Sequence, residues 1–180
     1  MAGSDLSSKK VLMVIAQEGF RDEEFFEPRD VFEDEGLSIT IASNSTDEAM
    51  GVLGGSAKPD IAIKNVSIGE YDAIVISGGP GARKLLWPDK KLQDLVAEAF
   101  DLGMIVAAIC VSPVVLARAG ILEGKKATVF NDPACIKELL DAGADYENED
   151  VIVTDNVVTG RDPTAAEKFG EAVLEALENI

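Results

Sequence analysis

Met104-Ile105-Val106-Ala107-Ala108-Ile109-Cys110-Val111-Ser112-Pro113-Val114-Val115-Leu116-Ala117 carries the pattern that decides the fold. An unbroken apolar run of strand length stops at a cysteine, and Ser112-Pro113 opens a second apolar stretch with helical spacing. A strand that turns sharply into a helix puts the turn residue at the carboxyl edge of a sheet, where open α/β proteins keep their ligand sites. The first free N–H groups of the helix face that residue, so an anion is favoured there. A thiol in that setting is expected to lose its proton more readily than a free one. Cys110 is therefore the residue to explain.

Outward from this stretch, apolar segments alternate in kind. Residues 9–16 read as a buried strand and residues 17–21 as a loop. Asp22 is placed to cap a helix running to about Glu35, with Gly36 as its stop. Leu37, Ile39 and Ile41 alternate with polar residues as a second strand, and residues 51–63 read as a hairpin-like excursion. Residues 73–77 form a strand ahead of Gly78-Gly79-Pro80-Gly81. Residues 90–102 are amphipathic, with Leu92, Leu95, Val96, Ala99 and Leu102 on one face. A strand over 127–130, a helix over 136–142 and a hairpin around Asp155-Asn156 follow. Thr164-Ala165-Ala166-Glu167 reads as a capping box for a last helix to about Leu177. Strands alternating with helices predict a mostly parallel sheet covered on both faces. The expected organisation is a loose polar tail over residues 1–8 and a single α/β domain over 9–180.

Composition narrows the function. The 180 residues carry 33 acidic against 16 basic side chains, a net charge of −17, which argues against binding nucleic-acid backbones. Nine carboxylates fall in residues 18–35 and thirteen in 132–178, an excess suited to solubility in a salty or crowded cytosol. No apolar run reaches the ~18 residues of a membrane span, and the first residues lack signal-peptide order, so a cytoplasmic protein is expected. The chain has two cysteines, Cys110 and Cys135, and no histidine. Familiar zinc patterns are thereby excluded, as is every imidazole-activated Ser or Cys nucleophile within the chain.

On a helical wheel Glu24 shares the core-facing side with Phe25, Pro28, Val31 and Phe32, while Glu23, Glu27, Asp30, Glu33 and Asp34 point away. Pro28, four residues later, cannot bond to the Glu24 carbonyl. An inward carboxyl needs a partner or a proton. Glu24 is either a stripe-edge residue reaching water or a protonated acid hydrogen-bonded to the sulfur of Cys110, where thiolate and carboxylate would share one proton. The loop at residues 78–81 lacks the Gly-Lys-Ser/Thr ending of a phosphate loop, having Arg83-Lys84-Leu85 instead. It is a plain turn or an oxyanion cradle in which the N–H groups of Gly79 and Val111 point at a substrate oxygen. Cys110 could equally be a small buried hydrophobe. Cys135 has no comparable setting and is left structural. Phe26 projects from the polar side of the first helix and could mark a subunit contact.

Residues 107–113 resemble the cysteine elbow of the ThiJ/PfpI superfamily, which includes the Parkinsonism-associated deglycase and the PfpI intracellular protease. Further matches fall in order: Glu24 ahead of Pro28, residues 77–82, residues 120–128, and Gly160-Arg161-Asp162-Pro163 through residues 169–172. The resemblance covers residues 9–177. It implies a flavodoxin-like three-layer sandwich, a homodimer or larger assembly, and a reactive Cys110 with Glu24 as its protonated partner. Two departures stand out. PfpI-type proteases have a histidine directly after the cysteine, where this chain has Val111, and a glutamate after the paired glycines, where it has Pro80-Gly81-Ala82. Both weigh against peptide hydrolysis. The deglycase branch often has a histidine near Asp132, whose carboxylate is a possible auxiliary proton acceptor. The expected activity is a glyoxalase or deglycase acting on small reactive carbonyls, with no cofactor and no metal. The alternative is a non-enzymatic oxidative-stress sensor or chaperone-like protein with an oxidisable Cys110 paired with Glu24.

Overall fold

In the computed structural model, which describes residues 6–180, the chain opens with a 3-10 turn at Leu6–Ser8 whose Leu6 is buried. Residues 6–8 are therefore not part of a loose tail such as was expected over residues 1–8, and residues 1–5 lie outside the described residues. β1 (Lys10–Val14) leads through β2 (Glu18–Phe20) and α1 (Asp22–Asp34) to β3 (Ser38–Ser43), which pairs with β1 in parallel. β4 (Ala49–Gly51) and β5 (Ser56–Ala57) form an antiparallel hairpin, and β6 (Ile61–Ala62) joins the main sheet beside β3.

The apolar runs that follow are the centre of the sheet. β7 (Ala73–Ile76) precedes α2 (Pro80–Leu85) and α3 (Lys90–Asp101), and β8 (Ile105–Ile109) precedes α4 (Pro113–Arg118). β7 and β8 are buried at every position, as strands covered on both faces must be. Beyond them, β9 (Lys126–Ala127), α5 (Pro133–Asp141) and β10 (Asp145–Tyr146) form a side unit, its two strands pairing in parallel. β11 (Val151–Thr154) and β12 (Val157–Gly160) form the expected hairpin, with Asp155 at φ 53° in its turn, and α6 (Ala166–Glu178) closes the chain.

The seven-stranded sheet runs β11-β12-β8-β7-β1-β3-β6, with only β11 antiparallel. α1 packs on α6, while α3 packs on β7, β8 and α4, and α4 on α5. The result is the expected three-layer α/β sandwich. The strand order reverses at β1, with β3 on one side and β7 on the other, so the crevice for a ligand lies at the carboxyl ends of β1, β7 and β8. No helix among the described residues is long and apolar enough to cross a membrane.

Local details depart from the sequence expectations where a distant segment supplies a partner. Residues 17–21 are not a plain loop, because β4 pairs with β2 and Val52 N–H donates to the Phe20 carbonyl at 2.9 Å. Asp22 does not cap α1. Arg21 holds the cap position, and the Asp22 carboxylate accepts the N–H groups of Leu53 (2.9 Å) and Gly55 (2.8 Å), fastening the hairpin to the helix start. The strand expected over 127–130 is short, since Thr128 N–H turns to Thr159 Oγ1 and Phe130 N–H to the Cys110 carbonyl. Leu102 is 58% exposed, because α3 ends at Asp101 and the chain turns away through Gly103. In place of a Thr164 capping box, Asp162 caps the 3-10 turn Pro163–Ala165 by accepting Thr164 N–H, and α6 begins at Ala166.

Candidate active site

β8 runs straight into Cys110, which has φ +66°, a left-handed conformation that side chains other than glycine seldom take. The turn is held from outside. Cys110 N–H donates to the Gly160 carbonyl at 2.9 Å, and the Cys110 carbonyl accepts Phe130 N–H at 2.7 Å. Ser112 Oγ donates to the Ser77 carbonyl at 2.6 Å, and Trp87 Nε1 to the Val111 carbonyl at 2.8 Å. β12 and the segments just past β7 and α2 thus hold the turn that carries the sulfur, and only 6% of Cys110 reaches solvent.

Glu24, in the first turn of α1, is fully buried. Its Oε1 accepts the N–H of Gly78 at 2.9 Å. Pro28 has no N–H for the Glu24 carbonyl, and the hydroxyl of Ser77 donates to that carbonyl instead, at 3.1 Å. The proline that breaks one helical bond thereby locks α1 to the end of β7. Oε2 accepts no N–H or O–H among the described residues, and the Glu24 carboxyl has the thiol of Cys110 as a neighbour. Gly78 leaves the gap open, since a Cβ there would lie 2.7 Å from both Cys110 Cβ and Glu24 Oε1.

Burial pushes the Glu24 carboxyl up to about 8, against the hydrogen bonds from Cys110 and Gly78 that favour its charge. Burial also raises the Cys110 thiol, and the Glu24 carboxylate raises it further, while the N–H groups of Gly79 and Val111 act the other way. The easily ionised thiol expected from the turn alone is therefore corrected: desolvation and the neighbouring acid outweigh the two N–H groups. The pair holds at most one negative charge. That charge can rest on oxygen or on sulfur, where Gly79 and Val111 receive it.

A cavity of about 220 Å³ opens over the sulfur, lined among others by Gly79, Val111, Arg21, Arg83 and Phe130. Cys110, Glu24, Gly79 and Val111 are thus brought together. Asp132 is not. It caps α5, accepting Cys135 N–H at 3.2 Å, and meets Arg83 Nη2 at 3.4 Å. Desolvation opposes them, yet the Cys135 N–H and the Arg83 guanidinium hold its carboxyl below the usual range, so it is a poor proton acceptor. Cys135 is buried and unbridged, and burial pushes its thiol up to about 11. Phe26 is half-buried, with its ring 5.0 Å from Phe25 and 4.8 Å from the Arg29 guanidinium.

Sequence reasoning missed the two arginines. Arg21 was a base within an acidic stretch, and Arg83 marked only a missing phosphate loop. The usable signal was their position, each in the segment that follows a central strand, seven residues past the end of β1 for Arg21 and of β7 for Arg83.

Comparison with known proteins agrees with this fold. The model of the DJ-1/PfpI family matches residues 9–176. A protein of Methanocaldococcus jannaschii, described as uncharacterized, is 49% identical over 174 residues, covering 97% of this chain and 85% of that protein. Several relatives carry activity names, among them a protein of Bacillus subtilis described as a putative cysteine protease, 32% identical and covering 95% of this chain and 99% of that protein. A deglycase of Pyrococcus horikoshii is 32% identical, covering 86% of this chain and 90% of that protein. A glutathione-independent glyoxalase of Caenorhabditis elegans is 28% identical, covering 96% and 90%. Among solved structures, a ThiJ/PfpI domain protein of Brachyspira murdochii superposes with a TM-score of 0.90 at 33% identity, covering 95% of this chain and 97% of its own.

Proposed function

The chain belongs to the DJ-1/PfpI family, and from that membership we propose that it is a cofactor-independent, cysteine-dependent enzyme of glyoxalase or deglycase type, acting on small α-oxoaldehydes. The observation that carries this proposal is a buried carboxyl beside a cysteine sulfur at the floor of a small cavity.

With the pair's single proton on Glu24, Cys110 attacks the aldehyde carbon as thiolate. A C–S bond forms, and the carbonyl π electrons move to the oxygen, which the N–H groups of Gly79 and Val111 hold. Glu24 delivers a proton to that oxygen and, now a carboxylate, takes the proton from the former aldehyde carbon and returns it to the adjacent ketone carbon, while the hydroxyl proton passes to the former ketone oxygen and a thioester is left. One carbon is oxidised and its neighbour reduced, so no external redox partner is needed. Water then attacks the thioester and gives a proton to Glu24, the C–S bond breaks, and the thiolate with its protonated partner is regenerated. The sum is R–CO–CHO + H2O → R–CH(OH)–COOH.

Peptide hydrolysis is disfavoured: Val111 occupies the position after the cysteine, and no histidine exists to protonate an amine leaving group. Lactate formation from methylglyoxal by the wild type and Cys110→Ala tests the proposal. Loss of the rate in the variant is expected, and equal rates at matched protein concentration would overturn it.

One observation favours a second reading. The buried Glu24 carboxyl neighbours Cys110 and keeps one oxygen without an N–H or O–H partner, which supports a hydrogen bond to an oxidised sulfur. In a sensor, Cys–SH + 2 H2O2 → Cys–SO2H + 2 H2O, and intact mass after mild peroxide would show two added oxygens on Cys110; an inert Cys110 would refute it. As macromolecular partner we propose a second copy of this chain, with sedimentation velocity as the test.

A further inference from the structure

The whole chain carries 33 acidic against 16 basic side chains, yet the charged residues lining the cavity over Cys110 are two arginines, Arg21 and Arg83, and no carboxylate. A random draw from this surface would favour acid about two to one, so the reversal calls for a cause. Both guanidinium groups are held in place. Arg21 is gripped by Glu23 through Nε (2.8 Å) and Nη2 (3.0 Å), and it senses the charge of both Glu24 and Cys110. Arg83 lies over the Trp87 ring at 4.9 Å. Its Nη2 makes a long contact with Asp132 Oδ2 and an ordinary one with Cys135 Sγ, both at 3.4 Å, and its remaining donors have no partner among the described residues. An arginine fixed by stacking with an unsaturated fork is prepared for a planar or tetrahedral oxyanion. The cavity of about 220 Å³ admits only a small ligand.

We propose that Arg21 and Arg83 form an anion clamp that selects α-oxoaldehydes bearing a phosphate or carboxylate over neutral ones. This rests on the enzyme reading above and names its substrate class. The anionic group sits between the guanidinium groups, the aldehyde carbon lies at the Cys110 sulfur, and the product is an anionic 2-hydroxy acid, formed by the same balanced addition of water.

Trp87 is the chain's single tryptophan and stacks under Arg83, so its fluorescence reports binding without turnover. Wild type, Arg83→Gln and Arg21→Gln are titrated at constant ionic strength with inorganic phosphate, acetate and uncharged acetamide. Rates are measured with methylglyoxal and with hydroxypyruvaldehyde phosphate. A saturable fluorescence change with an anion is expected, at least tenfold weaker in Arg83→Gln. A kcat/KM at least tenfold higher for the phosphorylated substrate is also expected, with that preference falling at least tenfold in the variants. Arg83→Lys, which keeps the charge and loses the fork, should fall between; it also serves if a glutamine variant does not fold by circular dichroism. A response to phosphate alone assigns a phosphate group, and one to acetate alone a carboxylate. Saturation by acetamide, no saturable anion response, or an unchanged preference in folded variants overturns the clamp. The two proposals fail separately. Turnover of methylglyoxal without anion preference removes the clamp and keeps the enzyme, whereas anion binding without turnover of either dicarbonyl removes the enzyme and keeps the clamp.

Discussion

Glu24 keeps its proton because no solvent reaches it and only one of its oxygens has an N–H donor. Two expectations follow at the scale of this residue. The neighbouring carboxylate is among the causes that raise the Cys110 thiol, so Glu24→Gln should lower the pH midpoint of Cys110 alkylation by roughly one unit or more. A midpoint that stays or rises would show that the carboxyl does not govern the sulfur. The second concerns stability. The folded value of about 8 stands above the ordinary 4.5, so between those values the folded state holds a proton that the unfolded chain has released. Stability should therefore fall as pH rises through this window and level off above it, by a few kcal/mol in total, on the order of 1.4 kcal/mol per pH unit at most. Urea unfolding at the two ends of the window should show this decline in the wild type and a flatter profile in Glu24→Gln.

At the scale of elements, the site is assembled by attachments between segments far apart in sequence. Asp22 fastens the β4–β5 hairpin to the first turn of α1 through two amide groups. Replacing it with alanine should cost about 1–3 kcal/mol and speed hydrogen exchange at the Leu53 and Gly55 amides; unchanged exchange there would show the hairpin to be held by other contacts. Gly81, in the first turn of α2, lies against the backbone of β2, where a Cβ would run into the Glu18 carbonyl. Gly81→Ala should push α2 away from β2 and lower the unfolding free energy measured in urea by about 1–3 kcal/mol or more, as overpacking at rigid backbone does. Full stability in that variant would mean that the glycine loop shifts freely, and with it the N–H group of Gly79.

At the scale of the whole molecule, a net charge of −17 on 180 residues sets the compact state against its own repulsion. Carboxylates crowd residues 18–35, whose helix α1 packs on α6, itself acidic at Glu167, Glu171, Glu175 and Glu178. Screening over a Debye length of about 10 Å at 0.1 M salt should relieve that repulsion. Added sodium chloride is expected to raise the thermal midpoint; a midpoint that falls would mean that ion pairs such as Arg118–Glu138 and Lys168–Asp150 outweigh it.

The sequence by itself determined the alternation of strands and helices, the sharp turn at Cys110 and the inward side of Glu24. Each follows from periodicity or from local backbone chemistry, and neither depends on distant residues. It also excluded imidazole chemistry by composition. The tertiary structure alone decided that the Cys110 thiol is raised rather than lowered, because desolvation and an adjacent acid arise only when α1 is laid against the ends of β7 and β8. It likewise placed Arg21 and Arg83 in the cavity and took Asp132 away to cap α5. Burial and the meeting of charges are sums over segments remote in the chain, and those sums exist only once the chain has folded.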